Sequence, residues 1–285
     1  MGVNILTDST SYINQELLKD LHIHIVSLNV TFPDITFKET EMKNDTFYDM
    51  MAAKGIPLSS QPSVGDLYEK MKELTSNGDS LVCVFISSEM SGTYSSALMV
   101  KDMILEESPE AEIEVLDSKS NCMQLGFAAV VAARAAKEGK SFQEVKKEAS
   151  ENILKSRFIF IPDNLEYLRK GGRIGGASAL LGDLFKIIPI LTVKNGKTHV
   201  LEKVRTKKKA VVHLIEKLLS DIDLYGLGEV VIHHINCINE AYELAEILKK
   251  KLNINVNIAD IGPVIGLHVG PGAIGIAYYT ENYIK

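Results

Sequence analysis

Short β-rich runs alternate with amphipathic ones along this chain, a pattern that predicts α/β layering around largely parallel strands. Residues 3–7 (VNILT), 25–30 (IVSLNV), 80–86 (SLVCVFI) and 112–116 (EIEVL) have strand length and strand composition. Helices are predicted between and after them at residues 63–78, 93–108, 123–139 and 141–156. Ser63 with Asp66, and Ser141 with Glu144, have capping-box spacing, and Gly78 supplies a stop. A second unit is predicted to begin at Arg157. It opens with the strand RFIFI (157–161) and the helix LEYLRKGG (165–172), which ends at glycine. Residues 187–204 place Asn195-Gly196 between β-rich arms, the strongest hairpin signal in the chain, which makes this sheet mixed. Helices at 207–222 and 240–252 then alternate with strands at 229–235 and 254–259. The expectation is two α/β lobes, 1–156 and 157–285.

Composition narrows the partners. The 285 residues are 46% hydrophobic and 24% charged, with a net charge of −6, which argues against nucleic acid or an anionic membrane surface as partner. Cys83, Cys122 and Cys237 have no pairing or C-x-x-C spacing and read as reduced thiols. The start MGVNILTDS has neither the basic nor the apolar region of a signal peptide, and no run reads as a transmembrane helix. A cytoplasmic protein without an integral membrane segment is expected.

The segment 262–279 (GPVIGLHVGPGAIGIAYY) is uncharged when His268 is neutral, and Gly270, Gly272 and Gly275 spell G-x-G-x-x-G. A dinucleotide loop must open a helix, whereas these glycines lead into the strand-like AIGIAYYT. Residues 268–275 (HVGPGAIG) therefore read as a glycine-rich bend beside a histidine, close to a ligand.

Hydroxyls gather at predicted turns. Ser59, Ser60 and Ser63 precede one helix, while Ser87, Ser88, Ser91 and Thr93 lie between a strand and the next helix. Plain N-capping explains one hydroxyl per helix. Four within seven residues, at the C-terminal end of a strand and the N-terminus of a helix, favour an anion site. The turn 117–122 (DSKSNC), Arg173 and Arg205 could converge there, although a single arginine is more often a solvated group. His233 and His234 are adjacent on a strand and point to opposite faces. No His/Cys/carboxylate set has ligand spacing, so no metal is predicted.

Taken together, TDSTSYI, SSQPS, SSEMSGTYSSA, DSKSN, LEYLRKGGRIGG and IGPVIGLHVGPGAIGIAYY resemble the DegV family of bacterial fatty-acid-binding proteins over essentially the whole chain. The resemblance implies two α/β lobes of the DegV type with a fatty acid between them. The N-terminal lobe would supply the head-group site, and the C-terminal lobe the acyl pocket and the HVGPG loop. It also implies a role: presenting the fatty acid to a separate ATP-dependent kinase subunit, which makes an acyl phosphate for phospholipid synthesis. No cofactor beyond the bound fatty acid is implied.

By the same resemblance, Ser59 and Ser91 hold the carboxylate, with Thr93 and the backbone at Gly92 as further donors. His268 lies near the head group, Arg205 borders it, and Arg173 faces the partner or the emerging phosphate. The chain departs from the family pattern at Ser59, where threonine is usual, and at Cys122 and Gln124, where serine and glycine are more common. Two other readings compete. Ser91, His268 and Asp8 or Asp117 have the residue types of a hydrolase or acyltransferase triad, but no G-x-S-x-G elbow is present. A regulatory protein that senses lipid is the other.

Overall fold

The computed structural model describes residues 2–180 and 187–284, so Met1 and Lys285, the outer ends of the two expected lobes, lie outside the description. The first part carries strands β1 (Val3–Asp8), β2 (Ile23–Val26), β3 (Asn29–Phe32), β4 (Ile35–Lys38), β5 (Leu58–Ser60), β6 (Ser80–Phe85) and β7 (Ile113–Asp117). Its helices are α1 (Gln15–Asp20), α2 (Asn44–Lys54), α3 (Val64–Thr75), α4 (Thr93–Glu107), α5 (Cys122–Lys137) and α6 (Phe142–Lys155). Four strands form a parallel sheet in the order β2-β1-β6-β7, and β4-β3-β5 form a small antiparallel one.

Residues 25–30, expected as one strand, are split between these two sheets. The backbone of Leu28 is drawn out of any ladder: its N–H donates to Ser9 Oγ at 3.1 Å, and its carbonyl accepts from Glu39 N at 2.9 Å. The chain therefore turns at Ser27–Leu28 and carries β3 away from β2. Capping also differs from expectation at one helix. Ser141 and Glu144 form the full reciprocal box at α6, but at α3 only Ser63 Oγ caps, because the Asp66 carboxylate pairs with Lys38 at 3.1 Å.

The second part carries β8 (Ser156–Ile161), β9 (Ile188–Lys194), β10 (Lys197–Val204), β11 (Glu229–His234), β12 (Asn257–Asp260) and β13 (Ile274–Tyr279). Their order is β10-β9-β8-β13-β11-β12, antiparallel except for the parallel pair β11/β12. Helices α7 (Glu166–Lys170), α8 (Lys207–Tyr225), α9 (Ile238–Leu252) and α10 (Pro263–Val269) accompany the strands. Asn195 and Gly196 turn the β9/β10 hairpin with φ of 51° and 81°, the double positive φ that a tight two-residue turn needs.

Side-chain alternation sorts this sheet into two faces. Ile159, Ile161, Ile232 and Ile276 pack with Leu214 and Leu218 of α8 and Leu244 of α9. Phe158, Phe160 and Val231 face the other way, into a core shared with α5 and the first sheet. Helix α5 is alanine-rich and buried along most of its length, as a helix packed on several sides must be.

The chain's two departures at the start of α5 serve packing. Cys122 and Gln124 are buried there and line no part of the cavity described below. Gln124 accepts from Ser120 Oγ at 2.6 Å and donates to the Ser156 carbonyl at 3.0 Å, tying α5 to the start of β8. Replacing Gln124 by leucine leaves both partners unpaired in the interior. We expect a loss of about 1–3 kcal/mol, read as a lower urea midpoint with an unchanged denaturant slope.

Candidate functional site

A cavity of about 290 Å³ opens between the two sheets. Leu28 and Ile86 from the first part, and Val264 and Ile265 from α10, contribute to its apolar wall. Phe158 and Phe160 line it as a stacked pair, with centroids 5.1 Å apart and planes at 19°. Behind Phe158, the His233 ring sits edge-on at 5.5 Å. His233 is fully enclosed and satisfied at both nitrogens, by Met123 N and the Ala259 carbonyl. Burial pushes its pKa down to about 3, so it is neutral structure rather than a ligand group.

The polar lining is built from several hydrogen-bonded groups. His268 Nε2 lies 2.8 Å from Ser59 Oγ. Arg173 donates from Nε and Nη2 to the Met90 carbonyl, and from Nη1 to the Gly171 carbonyl. Met90 Sδ accepts from Asn121 Nδ2 at 3.1 Å, while Asn121 Oδ1 is buried without a partner among the described residues. Ser91 completes the set, its Oγ 2.9 Å from Thr93 Oγ1. These groups come from both parts of the chain: Ser59, Ser91 and Asn121 from the first, Arg173 and His268 from the second. The polar lining thus draws on residues from both sides of the expected boundary at 156/157.

The expected bend beside His268 is present at Gly270 and Gly272, but it is preceded by a helix, α10, that the sequence did not suggest. Pro263 opens α10 just after its Gly262 N-cap, and the bend follows at Gly270 and Gly272, with φ of 90° and 84°. The helix places His268 in its last turn. Burial, then the Arg173 guanidinium, pushes the imidazole pKa down to about 4, so the ring is neutral near pH 7. At the other end of α10, Glu39 Oε1 accepts from Val264 N at 2.8 Å and from Tyr12 Oη at 2.8 Å, while its Oε2 accepts from Ser9 Oγ at 2.5 Å. Burial raises the Glu39 carboxyl to about 7.

Other expected site residues occupy varied positions. Gly92 lines the cavity and N-caps α4, and a Cβ there would collide with the Gln61 side chain. The α4 N-terminus therefore abuts the cavity, and its dipole favours an anion. Thr93 is fully buried and off the lining; it donates its backbone N–H to Ser91 Oγ at 3.3 Å and so positions Ser91. Arg205 does not border the cavity as the resemblance implied. It is exposed where β10 passes to Thr206, the N-cap of α8, which turns its side chain to solvent. Gln61 lines the cavity although sequence reasoning gave it no role; it lies inside the serine-rich motif.

The triad reading meets a different geometry. His268 Nε2 faces Ser59 rather than Ser91, and among the described residues His268 Nδ1 has no partner to orient it. Asp8 accepts from Thr10 and Ile86 N, and Asp117 from Ser88 N and Lys119 N. Among the described residues, no group of three or more His, Cys, Asp or Glu is placed to hold a metal, and no helix is long and apolar enough to cross a membrane.

The structure is thus a two-part α/β fold around a mainly apolar cavity, with neutral donors and one arginine on its polar side. The chain belongs to the DegV family, whose pattern, described as an uncharacterised protein family, matches residues 2–281. A DegV domain-containing protein of Clostridium acetobutylicum is 60% identical over 285 residues, all of both chains. The crystal structure of DegV from Bacillus subtilis, a fatty acid binding protein, superposes with a TM-score of 0.88 at 34% identity, covering 98% of this chain and 99% of that one. A stearic-acid-binding protein from Eubacterium ventriosum gives 0.88 at 25% identity, with 98% of each chain covered.

Proposed function

We propose that this protein binds one long-chain fatty acid, its tail in the apolar cavity and its carboxylate held by Ser59, Ser91 and His268. The observation that carries the reading is the Ser59–His268 pair on the lining of a mainly apolar cavity. Two hydroxyls and a neutral imidazole can donate to an acceptor-only head group. The fatty-acid-binding relatives support the same reading. Burying a sixteen-carbon chain removes about 14 methylenes from water at ~0.8 kcal/mol each, about 11 kcal/mol gross. Each hydrogen bond to the carboxylate adds about 1.5–3 kcal/mol. The tail supplies most of the affinity, and the polar cluster fixes which end it meets.

The bound acid then serves a separate ATP-dependent kinase subunit. The carboxylate oxygen attacks the γ-phosphorus, the bond to ADP breaks, and an acyl phosphate forms. This chain's part in that step is to position the nucleophile, with Arg173 as the nearby positive charge. Native mass spectrometry of the purified protein is expected to show one fatty acid of roughly 14–18 carbons per chain, lengths consistent with the sixteen-carbon burial estimate. A chain that stays ligand-free, and gains no stability from added long-chain fatty acid, rules the proposal out. Fluorophosphonate labelling of Ser91, with ester turnover that disappears in His268→Ala, would establish a hydrolase instead.

A further inference from the structure

One nitrogen of His268 is engaged and the other is stranded. Nε2 lies 2.8 Å from Ser59 Oγ, whereas Nδ1 is buried and has no hydrogen-bond partner among the described residues. Nδ1 abuts Gly171, the residue that ends α7, so closely that a Cβ at that position would collide with it. Arg173 Nη1 donates to the carbonyl of this same Gly171 at 2.7 Å, which keeps the guanidinium on that side of the ring. A hydrogen on Nδ1 would therefore point its positive end at a glycine methylene, close to a guanidinium, with nothing to receive it. A lone pair in the same place meets C–H groups and is favoured by the positive charge nearby. The lowered basicity of the ring has the same two causes, burial and Arg173. Gly171 lacks a side chain where one would turn the imidazole, and Arg173 biases which nitrogen carries the proton.

We propose that Gly171 and Arg173 are positioning residues that hold His268 as the neutral Nε2–H tautomer, a committed hydrogen-bond donor toward the cavity. In the ligand-free site Ser59 Oγ accepts that hydrogen, which leaves the Ser59 hydroxyl proton free. An arriving carboxylate then finds His268, Ser59 and Ser91 all able to donate, and no imidazolium is needed to hold it. The part of this that concerns the carboxylate rests on the proposed function; the tautomer itself is a property of the protein alone.

Long-range 15N–1H correlation NMR at pH 7, with the His268 signals assigned by their loss in His268→Gln, reads the tautomer directly. We expect Nε2–H in excess over Nδ1–H by on the order of tenfold; a dominant Nδ1–H form or an imidazolium overturns the proposal. Gly171→Ala is expected to weaken palmitate binding by on the order of tenfold and to mix the two tautomers, while changing nothing further when made in a His268→Ala background. A Gly171→Ala deficit that persists undiminished in that background assigns Gly171 a purely structural role and also overturns the proposal. If Gly171→Ala does not fold, the wild-type spectrum still decides. A wild-type protein that ignores palmitate yet shows the Nε2–H tautomer defeats the fatty-acid reading and leaves this one standing.

Discussion

Replacing Ser59 and Ser91 together by alanine is expected to weaken long-chain fatty-acid binding by about 100-fold to 10,000-fold. Each substitution removes a hydrogen bond to a charged acceptor, worth about 1.5–3 kcal/mol, and about 1.4 kcal/mol corresponds to tenfold in affinity. The two losses need not add, because both hydroxyls are assigned to one carboxylate. Ser91→Ala is expected to be the more damaging single change, since it also strips Thr93 Oγ1, which is buried, of its partner. Ser59→Ala leaves His268 Nε2 without the Ser59 hydroxyl, but the ring can still donate to the ligand. Isothermal titration with a soluble long-chain acid, with melting curves to show that the fold persists, measures this. Wild-type affinity in the double variant would place the carboxylate somewhere else.

The parts of the site that sequence exposed are those whose residue type is anomalous for its surroundings. Four hydroxyls crowded between a strand and a helix exceed what capping requires; of these Ser91 lines the cavity, next to Gly92, whereas Ser87, Ser88 and Thr93 lie off the lining. Asn195-Gly196 announced its hairpin because few residue pairs tolerate two positive φ values in succession. Other features depend on contacts that no local pattern encodes. Thr93 and Arg205 have the types of ligand groups. Yet one is swallowed by the packing beneath Ser91 and the other is turned to solvent at the start of α8. Helix α10 was hidden by its own boundaries, since Gly262, Pro263 and Gly270 read as interruptions between short strand-like runs when they are in fact its N-cap, first residue and C-cap. Glu39 was the hardest to foresee. In the run TFKETEMK it looks like one more solvated charge, and only the approach of α10, more than two hundred residues later, encloses it.

That enclosure gives Glu39 a measurable signature: Glu39→Gln is expected to gain stability relative to the wild type as pH rises. Burial lifts the Glu39 carboxyl from 4.5 to about 7 in the folded protein. Its contribution to stability is therefore fully present below about pH 4.5 and is lost as pH rises through 7, because the unfolded chain ionises first. The rise from 4.5 to about 7 corresponds to about 3 kcal/mol. Asp8, raised by burial from 3.8 to about 6, acts in the same direction. His268 and His233 oppose both, since burial lowers them from 6.5 to about 4 and about 3, so their contributions are lost as pH falls below 6.5. The wild-type profile is a sum of these opposed slopes and stays shallow. The difference between variant and wild type isolates Glu39. Glutamine keeps an acceptor for Val264 N and Tyr12 Oη, so α10 should remain seated and fatty-acid binding at pH 6 should be unchanged. Urea titrations at pH 4 and pH 8 are expected to differ by about 3 kcal/mol in the variant's relative stability, in its favour at pH 8. A difference that does not change with pH would mean that Glu39 is ionised in the folded protein, and that the hydrogen bonds from Ser9, Tyr12 and Val264 outweigh its burial.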